Sequence, residues 1–517
     1  MKVEIKAFFI ILLLSIPNIS LAKPTLTQKV FTGYELAQDW DLVSAEKLSQ
    51  ALLNEHPDSG DAHFLSARIE FLKGNYEHSW KILKNVGENF KEVSDFKKLV
   101  NATLKASKNF VSVETEHFHI RYEEGPDEVL IYYAKEVLEK SYQVLGKILE
   151  HLPQEKVLIE IYPDREPFSK ISPLSLQDIL TSGTVALCKY RRIMMISPGS
   201  LVRGYNWMDT LSHEYVHYLL TKKSRNRLPL WMHEGIAKLL ETRWRNETDY
   251  MSPIMETILS GALKNDYRVP LEKMMPSFAK LKTAEDVQLA YAEVSTMMEF
   301  LMETKGEKIF PLLLEDLAEG KGFEESFIER TGANISKFQI NWETWVKKRE
   351  LNHIPGITPL TKEFKNKNSL EPKKDFKGMS SQRAQDWTFL GDILKSRQHY
   401  SAAILEYRKA KEESTTHSPI LFNKLAGTYI QTRKYEDAEL LLKESLEYYS
   451  DFHTTLTNLG ELYFVSERYE EAVRYFEKAV RINPFNPFIH MRLIELYGRM
   501  KMPEKKKLQT QLFSFIN

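Results

Sequence analysis

With 517 residues the chain is long enough for two or three domains, each with its own core. Lys plus Arg equals Asp plus Glu at 71 each, which removes any global electrostatic case for nucleic acid or an acidic polymer, and 43% hydrophobic with 27% charged residues is a globular composition. The lone cysteine, Cys188, excludes an internal disulfide, and no run beyond the N-terminal segment approaches the roughly 20 apolar residues of a membrane span.

The first 22 residues read as a secretory signal peptide. Lys2 and Lys6 flank the start of the apolar run Ala7 to Ile16, and Ser20, Leu21 and Ala22 supply a small-residue cleavage site. The expectation is an exported protein, periplasmic or secreted, with no stable membrane span once the segment is cut after Ala22. From 23 to 109 the chain reads as helices, and a 34-residue register places Gly33 over Ala67 and Ala45 over Ser79. That period predicts two tetratricopeptide-like units, in which small residues let paired helices approach closely.

The next stretch mixes strands and helices. Glu116 to Glu124 and Val157 to Pro163 alternate as strands, Glu128 to Leu149 is an amphipathic helix, and Thr184 to Ser197 supplies a hairpin or long edge strand. His117 and His119 share a strand face and read as ordinary strand residues, and Cys188 as a packed one. Further helices are expected over Asp249 to Lys264, Ala284 to Lys305, Lys308 to Glu319 and Phe338 to Arg349, with Gly322 and Gly332 at helix ends.

Within that stretch lies WMDTLSHEYVHYLL, whose apolar spacing predicts a helix with a face to bury. His213 and His217, four residues apart, sit one above the other on it and can aim two imidazoles at a single ion, with Glu214 beside that ion. This is the HExxH arrangement, in which two His hold zinc and the Glu is the general base. A catalytic site needs a third ligand and an open position. Glu234, seventeen residues after His217 in WMHEGIA, is far enough on for a reversal and a second helix. Its neighbour His233 points about 100° away on that helix and reads as a groove-lining or surface side chain. Glu241, two turns beyond Glu234, could hold one of the imidazoles. The extended HExxHxxGxxH pattern fails, because Leu220 and Lys223 stand at the required positions.

The pair HEYVH and WMHEGIA resembles the gluzincin group of peptidase MA-like metallopeptidases. The resemblance spans about 110 to 348 and implies one zinc per chain on His213, His217 and Glu234, with Glu214 as general base. It further implies an oxyanion-stabilising tyrosine, for which the matching position is Tyr291 in LAYAEVSTMMEFL, although the Lys-Gly that follows this tyrosine in the zinc aminopeptidases is absent. The edge strand of the small sheet before the HExxH helix is implied to bind substrate backbone by strand addition. No Gly-x-Met-Glu-Asn motif precedes His213, which favours endopeptidase over aminopeptidase action.

From 351 to 382 the chain turns polar, with Pro355, Pro359 and Pro372, and reads as a linker or strap. Beyond it tetratricopeptide positions recur at a 34 to 35-residue period: Gly391, Ala403 and Tyr407, then Ala426 and Ala438, then Gly460, Ala472 and Phe476. A partial repeat and polar cap close the chain from Phe488.

The fold class expected is therefore α+β, mostly α. The parts are a signal peptide (1–22), N-terminal repeats (23–109), a metallopeptidase domain (110–350), a linker (351–382) and C-terminal repeats (383–517). The function expected is zinc-dependent hydrolysis of peptide bonds, with the repeats recruiting a protein substrate or partner. The alternative is a repeat scaffold whose protease-like domain is weakly active or inactive, and a third possibility is a non-protein amide substrate.

Overall fold

A computed structural model describes residues 25–87, 91–365, 379 and 381–516. The expected signal peptide lies outside them, and among the described residues no helix is long and apolar enough to cross a membrane. The chain opens with five helices: α1 (Leu26–Gln38), α2 (Leu42–Glu55), α3 (Gly60–Leu72), α4 (Tyr76–Leu83) and α5 (Lys91–Ala106). The small positions of the 34-residue register, Gly33, Ala45, Ala67 and Ser79, are all buried where these helices meet.

The central region builds one sheet from β1 (Phe110–Glu114), β2 (Phe118–Glu123), β3 (Val157–Tyr162), β4 (Ala186–Lys189) and β5 (Arg192–Ile196), in the order β1-β2-β3-β5-β4. β2, β3 and β5 run parallel, while β1 and β4 are antiparallel edges. The strand expected from Glu116 begins at Phe118, and a separate β1 precedes it. α6 (Glu128–Ile148) crosses between β2 and β3, and α7 (Arg165–Ile171) and α8 (Leu176–Ser182) precede the edge hairpin. Nearly every side chain of β3 and β5 is buried, because helices cover both faces of the sheet.

Eight more helices complete the central region and open the C-terminal repeats: α9 (Trp207–Ser224), α10 (Leu230–Leu240), α11 (Pro253–Lys264), α12 (Ala284–Lys305), α13 (Ile309–Ala318), α14 (Phe323–Thr331), α15 (Ile335–Val346) and α16 (Gln382–Ser396). α11 starts four residues later than expected, where Ser252 caps the helix and Pro253 fits its first turn. α7, α8 and α14 were not expected; each has nine residues or fewer, too few to establish a hydrophobic period. α17 (Tyr400–Glu413), α18 (Pro419–Gln431), α19 (Tyr435–Tyr448), α20 (His453–Val465), α21 (Tyr469–Ile482), α22 (Pro487–Arg499) and α23 (Pro503–Ser514) continue the array. A Cβ on Gly460 would lie 2.7 Å from the Phe476 ring, so the small residue is what lets α20 and α21 meet.

Neither helical array is a detached module. Gly204 lies so close to the end of α21 that a Cβ there would be 2.4 Å from the Ile482 carbonyl. The described part of the expected linker is a packed strap: Leu201 and Phe364 form an antiparallel bridge, and Ile357 is buried with Tyr449 and Phe452 of the repeats. At the other end Trp40 packs on Tyr218 of α9, and Tyr76 enters the sheet. Its hydroxyl donates to Glu160 Oε1 at 2.6 Å and accepts from Arg192 Nη1 at 2.6 Å, while Arg192 Nε lies 3.0 Å from Glu160 Oε2.

Glu160 and Arg192 are both almost fully buried, so removing one partner strands the other charge in a medium that solvates it poorly. Arg192→Met is expected to destabilise the protein by about 3–5 kcal/mol, and Tyr76→Phe by about 1–3 kcal/mol. Urea unfolding followed by tryptophan fluorescence measures both.

Candidate metal centre

α9 is buried nearly all round and not on one face alone. It lies under the β4–β5 edge of the sheet with α6, α10 and α13 against its other sides, so its polar residues must find partners inside the protein. Asp209 does so through Trp244 Nε1 at 2.8 Å and Arg245 Nη2 at 2.8 Å. Arg225, in the left-handed conformation (φ 53°), ends the helix and starts the reversal into α10. Asn206 stands just before the other end and donates to Asp209 Oδ2 at 2.7 Å, while Arg203 pairs with Glu363 of the strap at 3.0 Å.

The reversal brings Glu234 onto the two imidazoles. Glu234 Oε2 lies 3.5 Å from His213 Nε2 and 3.5 Å from His217 Nε2, and one ligand atom from each of the three residues falls within 4.8 Å of the others. Glu241 Oε2 takes the far side of the first ring, 3.0 Å from His213 Nδ1, and is itself paired with Lys238. His233 is buried beside His217 and not on the surface, and it stands outside the cluster; burial, then the neighbouring His217, lowers its pKa to about 3.

Burial disfavours the charged form of every group here, and the outcome differs with the partners. His213 is nonetheless raised to about 10, because the carboxylate of Glu234, 3.5 Å away, and that of Glu241, hydrogen-bonded at Nδ1, outweigh its desolvation. Glu234 is lowered, its desolvation overcome by His217 and His213. Glu214 is raised by burial, opposed by the two imidazoles and by a backbone hydrogen bond from Cys188 on the edge strand. One oxygen each of Glu214 and Glu234 is buried without a hydrogen-bond partner.

Tyr291 reaches the same pocket from α12, with its ring 6.3 Å from that of His213 and packed on Phe278. Burial, then Glu234 and Glu214, raise its pKa well above the ordinary tyrosine value. Gly235 sets this placement: a Cβ there would lie 2.5 Å from the Val294 carbonyl, so the residue after Glu234 must be small for α10 to seat against α12. The structure thus brings together His213, His217, Glu234, Glu214 and Tyr291, all five residues singled out in the sequence.

His213, Glu214 and Tyr291 line a cavity of about 200 Å³ between α9, α10, α12 and the Ser182–Ala186 segment. Sequence reasoning missed Lys238, Phe278 and Lys362 as cavity residues, since none belongs to a motif and Lys362 comes from the strap. His117 is not an ordinary strand residue: it precedes β2, stacks on Tyr142 at 3.5 Å and sits 2.6 Å from Glu139. With Glu116 and Glu139 it forms a second, more exposed group from which His119 is absent.

Residues 129–348 match the model of the Peptidase MA superfamily, and residues 454–486 that of the tetratricopeptide repeat. The chain joins a Peptidase MA superfamily domain to tetratricopeptide repeats. Among curated proteins it is similar to small glutamine-rich tetratricopeptide repeat-containing protein 2 of Mycosarcoma maydis, 32% identical over 96 residues. That match covers 19% of this chain and only 27% of the relative's length. Among solved structures, native yeast LTA4 hydrolase is 12% identical, with 78% of this chain and 66% of that one covered and a TM-score of 0.32. The first TPR of Spaghetti bound to an HSP90 peptide is 20% identical, covering 24% of this chain and 97% of that one at a TM-score of 0.23.

Glu293, two residues after Tyr291, is buried with Oε2 accepting from Val269 N at 3.3 Å and Oε1 unpartnered, and burial raises its pKa from 4.5 to about 8. A raised carboxyl gives stability that is fully present below pH 4.5 and lost as pH climbs to about 8. Glu293→Gln keeps the acceptor and cannot ionise. Relative to this variant the native protein is expected to lose stability steadily between those two pH values, read as the difference in melting temperature across a pH series.

Proposed function

We propose that the protein is a zinc metallopeptidase that cleaves peptide bonds, with one zinc per chain held by His213, His217 and Glu234. The carrying observation is the spacing of the donors. Two ligands each about 2.0–2.1 Å from one ion at a tetrahedral angle lie roughly 3.4 Å apart, and both imidazole-to-Glu234 separations are 3.5 Å. The electrostatics fit as well. Glu214, Glu234 and Glu241 converge on this site, where Lys238 pairs with Glu241 alone, and a divalent ion would supply a partner for the oxygen of Glu234 that has no hydrogen bond.

Bound zinc supplies Lewis acidity, polarising a carbonyl and lowering the pKa of water to about 7. The protein's own residues do the rest. Glu241 fixes the His213 ring by accepting at Nδ1, which leaves Nε2 free to ligate. Glu214 takes the proton of the attacking water and delivers it to the leaving amine. Tyr291 donates a hydrogen bond to the oxygen on which negative charge develops. The edge strand β4 offers its unpaired side to an extended peptide.

The reading extends to an exported endopeptidase whose repeats recruit a protein substrate or partner. The charged and apolar pattern of residues 1–22 supports export. The absence of the aminopeptidase motif before His213 supports endopeptidase action.

Metal analysis of the purified full chain and hydrolysis of a mixed peptide library test the proposal. Glu234→Ala is expected to lose the zinc. Glu214→Gln is expected to keep it while kcat falls by about 10²–10⁴. Tyr291→Phe is expected to lose about 10²–10³ in kcat with little change in KM, and Glu241→Ala to weaken zinc binding by about 10–100-fold. Wild-type protein that binds zinc and cleaves no peptide in the library would overturn the peptidase reading.

A further inference from the structure

The cavity at the metal centre does not end at the matched domain. A second cavity of about 370 Å³ shares Thr210, Lys238, Glu241, Gln288 and Lys362 with it and continues past Pro359 and Leu360 of the strap to Asp451 of the repeats. Lys362 thus stands at the junction of the two. The strap is held there by its own backbone: Val202 N donates to Glu363 O at 2.8 Å and Lys365 N to Ser200 O at 2.8 Å, on either side of the Leu201–Phe364 bridge.

The ionic state of this junction is lopsided. Lys238 is engaged by Glu241, and Glu241 by His213. Lys362 Nζ donates to the Gly183 carbonyl at 2.9 Å and lies 5.4 Å from the centre of the Tyr205 ring, but among the described residues no carboxylate pairs with it. An ammonium has three donors, and a backbone carbonyl uses one of them. The residue is exposed and lines the cavity, so a ligand can reach it; its crowded surroundings and then Lys238 lower its pKa to about 8, opposed by Glu241, which leaves the ammonium protonated at pH 7. A cation on a fixed strap, ion-paired with no acidic side chain among the described residues and facing the same cavity as Glu214, is suited to an anionic group of whatever lies in that cleft.

We propose that Lys362, from the strap outside the matched domain, is the specificity-determining residue of the cleft and holds a carboxylate of the bound peptide. The proposal rests on the peptidase reading for the nature of the ligand. The carboxylate is either the peptide's own C-terminus or an Asp or Glu side chain beyond the scissile bond.

Three peptides of one length and core sequence separate these sources: neutral with a free C-terminus, neutral with an amidated C-terminus, and amidated with one internal Glu. Binding is measured by fluorescence anisotropy on zinc-loaded full-length Glu214→Gln, with and without Lys362→Met or Lys362→Arg, and kcat and KM are measured on the corresponding chains with Glu214 intact. One or both carboxylate peptides are expected to bind about tenfold or more tightly than the neutral amide. Lys362→Met should erase that preference, Lys362→Arg should keep part of it, and the effect should fall on KM with kcat nearly unchanged. Which peptide carries the preference identifies the carboxylate.

Zinc content and melting temperature of Lys362→Met equal to those of the parent establish that the fold is intact. Equal binding of all three peptides, or a preference untouched by Lys362→Met, overturns the proposal, as does a Lys362→Met chain that cleaves all three faster, which would mark the strap as an obstruction. Carboxylate-selective binding in a protein that hydrolyses nothing would sustain the role of Lys362 and sink the peptidase reading.

Discussion

The structure depends on a concentration of negative charge where two helices meet. Glu214 from α9, Glu234 from α10 and Glu241 at the end of α10 converge where water is largely excluded, and a carboxylate in such a place persists only if positive charge or hydrogen bonds compensate its lost hydration. The imidazoles of His213 and His217 satisfy part of this demand. His213 accordingly holds its proton far above the ordinary range, while Glu234 gives its proton up more readily than a solvated carboxylate would. A divalent cation answers the same demand with ligand atoms already gathered within reach of one ion.

Holding such a site together requires rigid surroundings. α9 meets neighbours on every side, and Gly235 allows α10 to press against α12, which places the phenol of Tyr291 opposite the imidazoles. The sheet fixes the other wall, since the N–H of Cys188 on the β4 edge reaches Glu214. The hairpin that makes this edge turns at Tyr190 and Arg191, both with positive φ. Their unfavourable backbone is compensated by the Tyr190 ring against Phe71 and by Arg191 paired with Glu155 at 2.8 Å. The N-terminal helices, the sheet and the candidate metal centre are thus packed directly against one another.

The two helical arrays share that body. Tyr76 inserts between the charges of Glu160 and Arg192, and the close approach of Gly204 to the end of α21 docks the C-terminal repeats beside the entrance to α9. The strap then passes between repeats and peptidase domain and contributes Lys362 to the cleft. What composition presents as a polar linker is in its described part a wall of the cavity, because its backbone finds hydrogen bonds on the 200–202 segment.

The amino-acid sequence by itself determined the local chemistry and the periodic elements. Two histidines four apart must share a helix face, the long helices α6, α9 and α12 announce themselves by their spacing, and recurring small residues fix the period of the repeats. These are properties of a few neighbouring residues and a helical pitch, so they survive without a fold. Tertiary structure decided which imidazole Glu241 takes, and it alone brought the β4 edge to Glu214 and carried Lys362 to the cleft from a segment with no pattern of its own. Short helices such as α7 and α14 were illegible for the same reason, and with neither Gly nor Asn to mark the turn the segment Thr184 to Ser197 stayed open between a hairpin, which it forms, and a long strand. Their stability comes from burial and pairing against residues far along the chain, and no local periodicity encodes it.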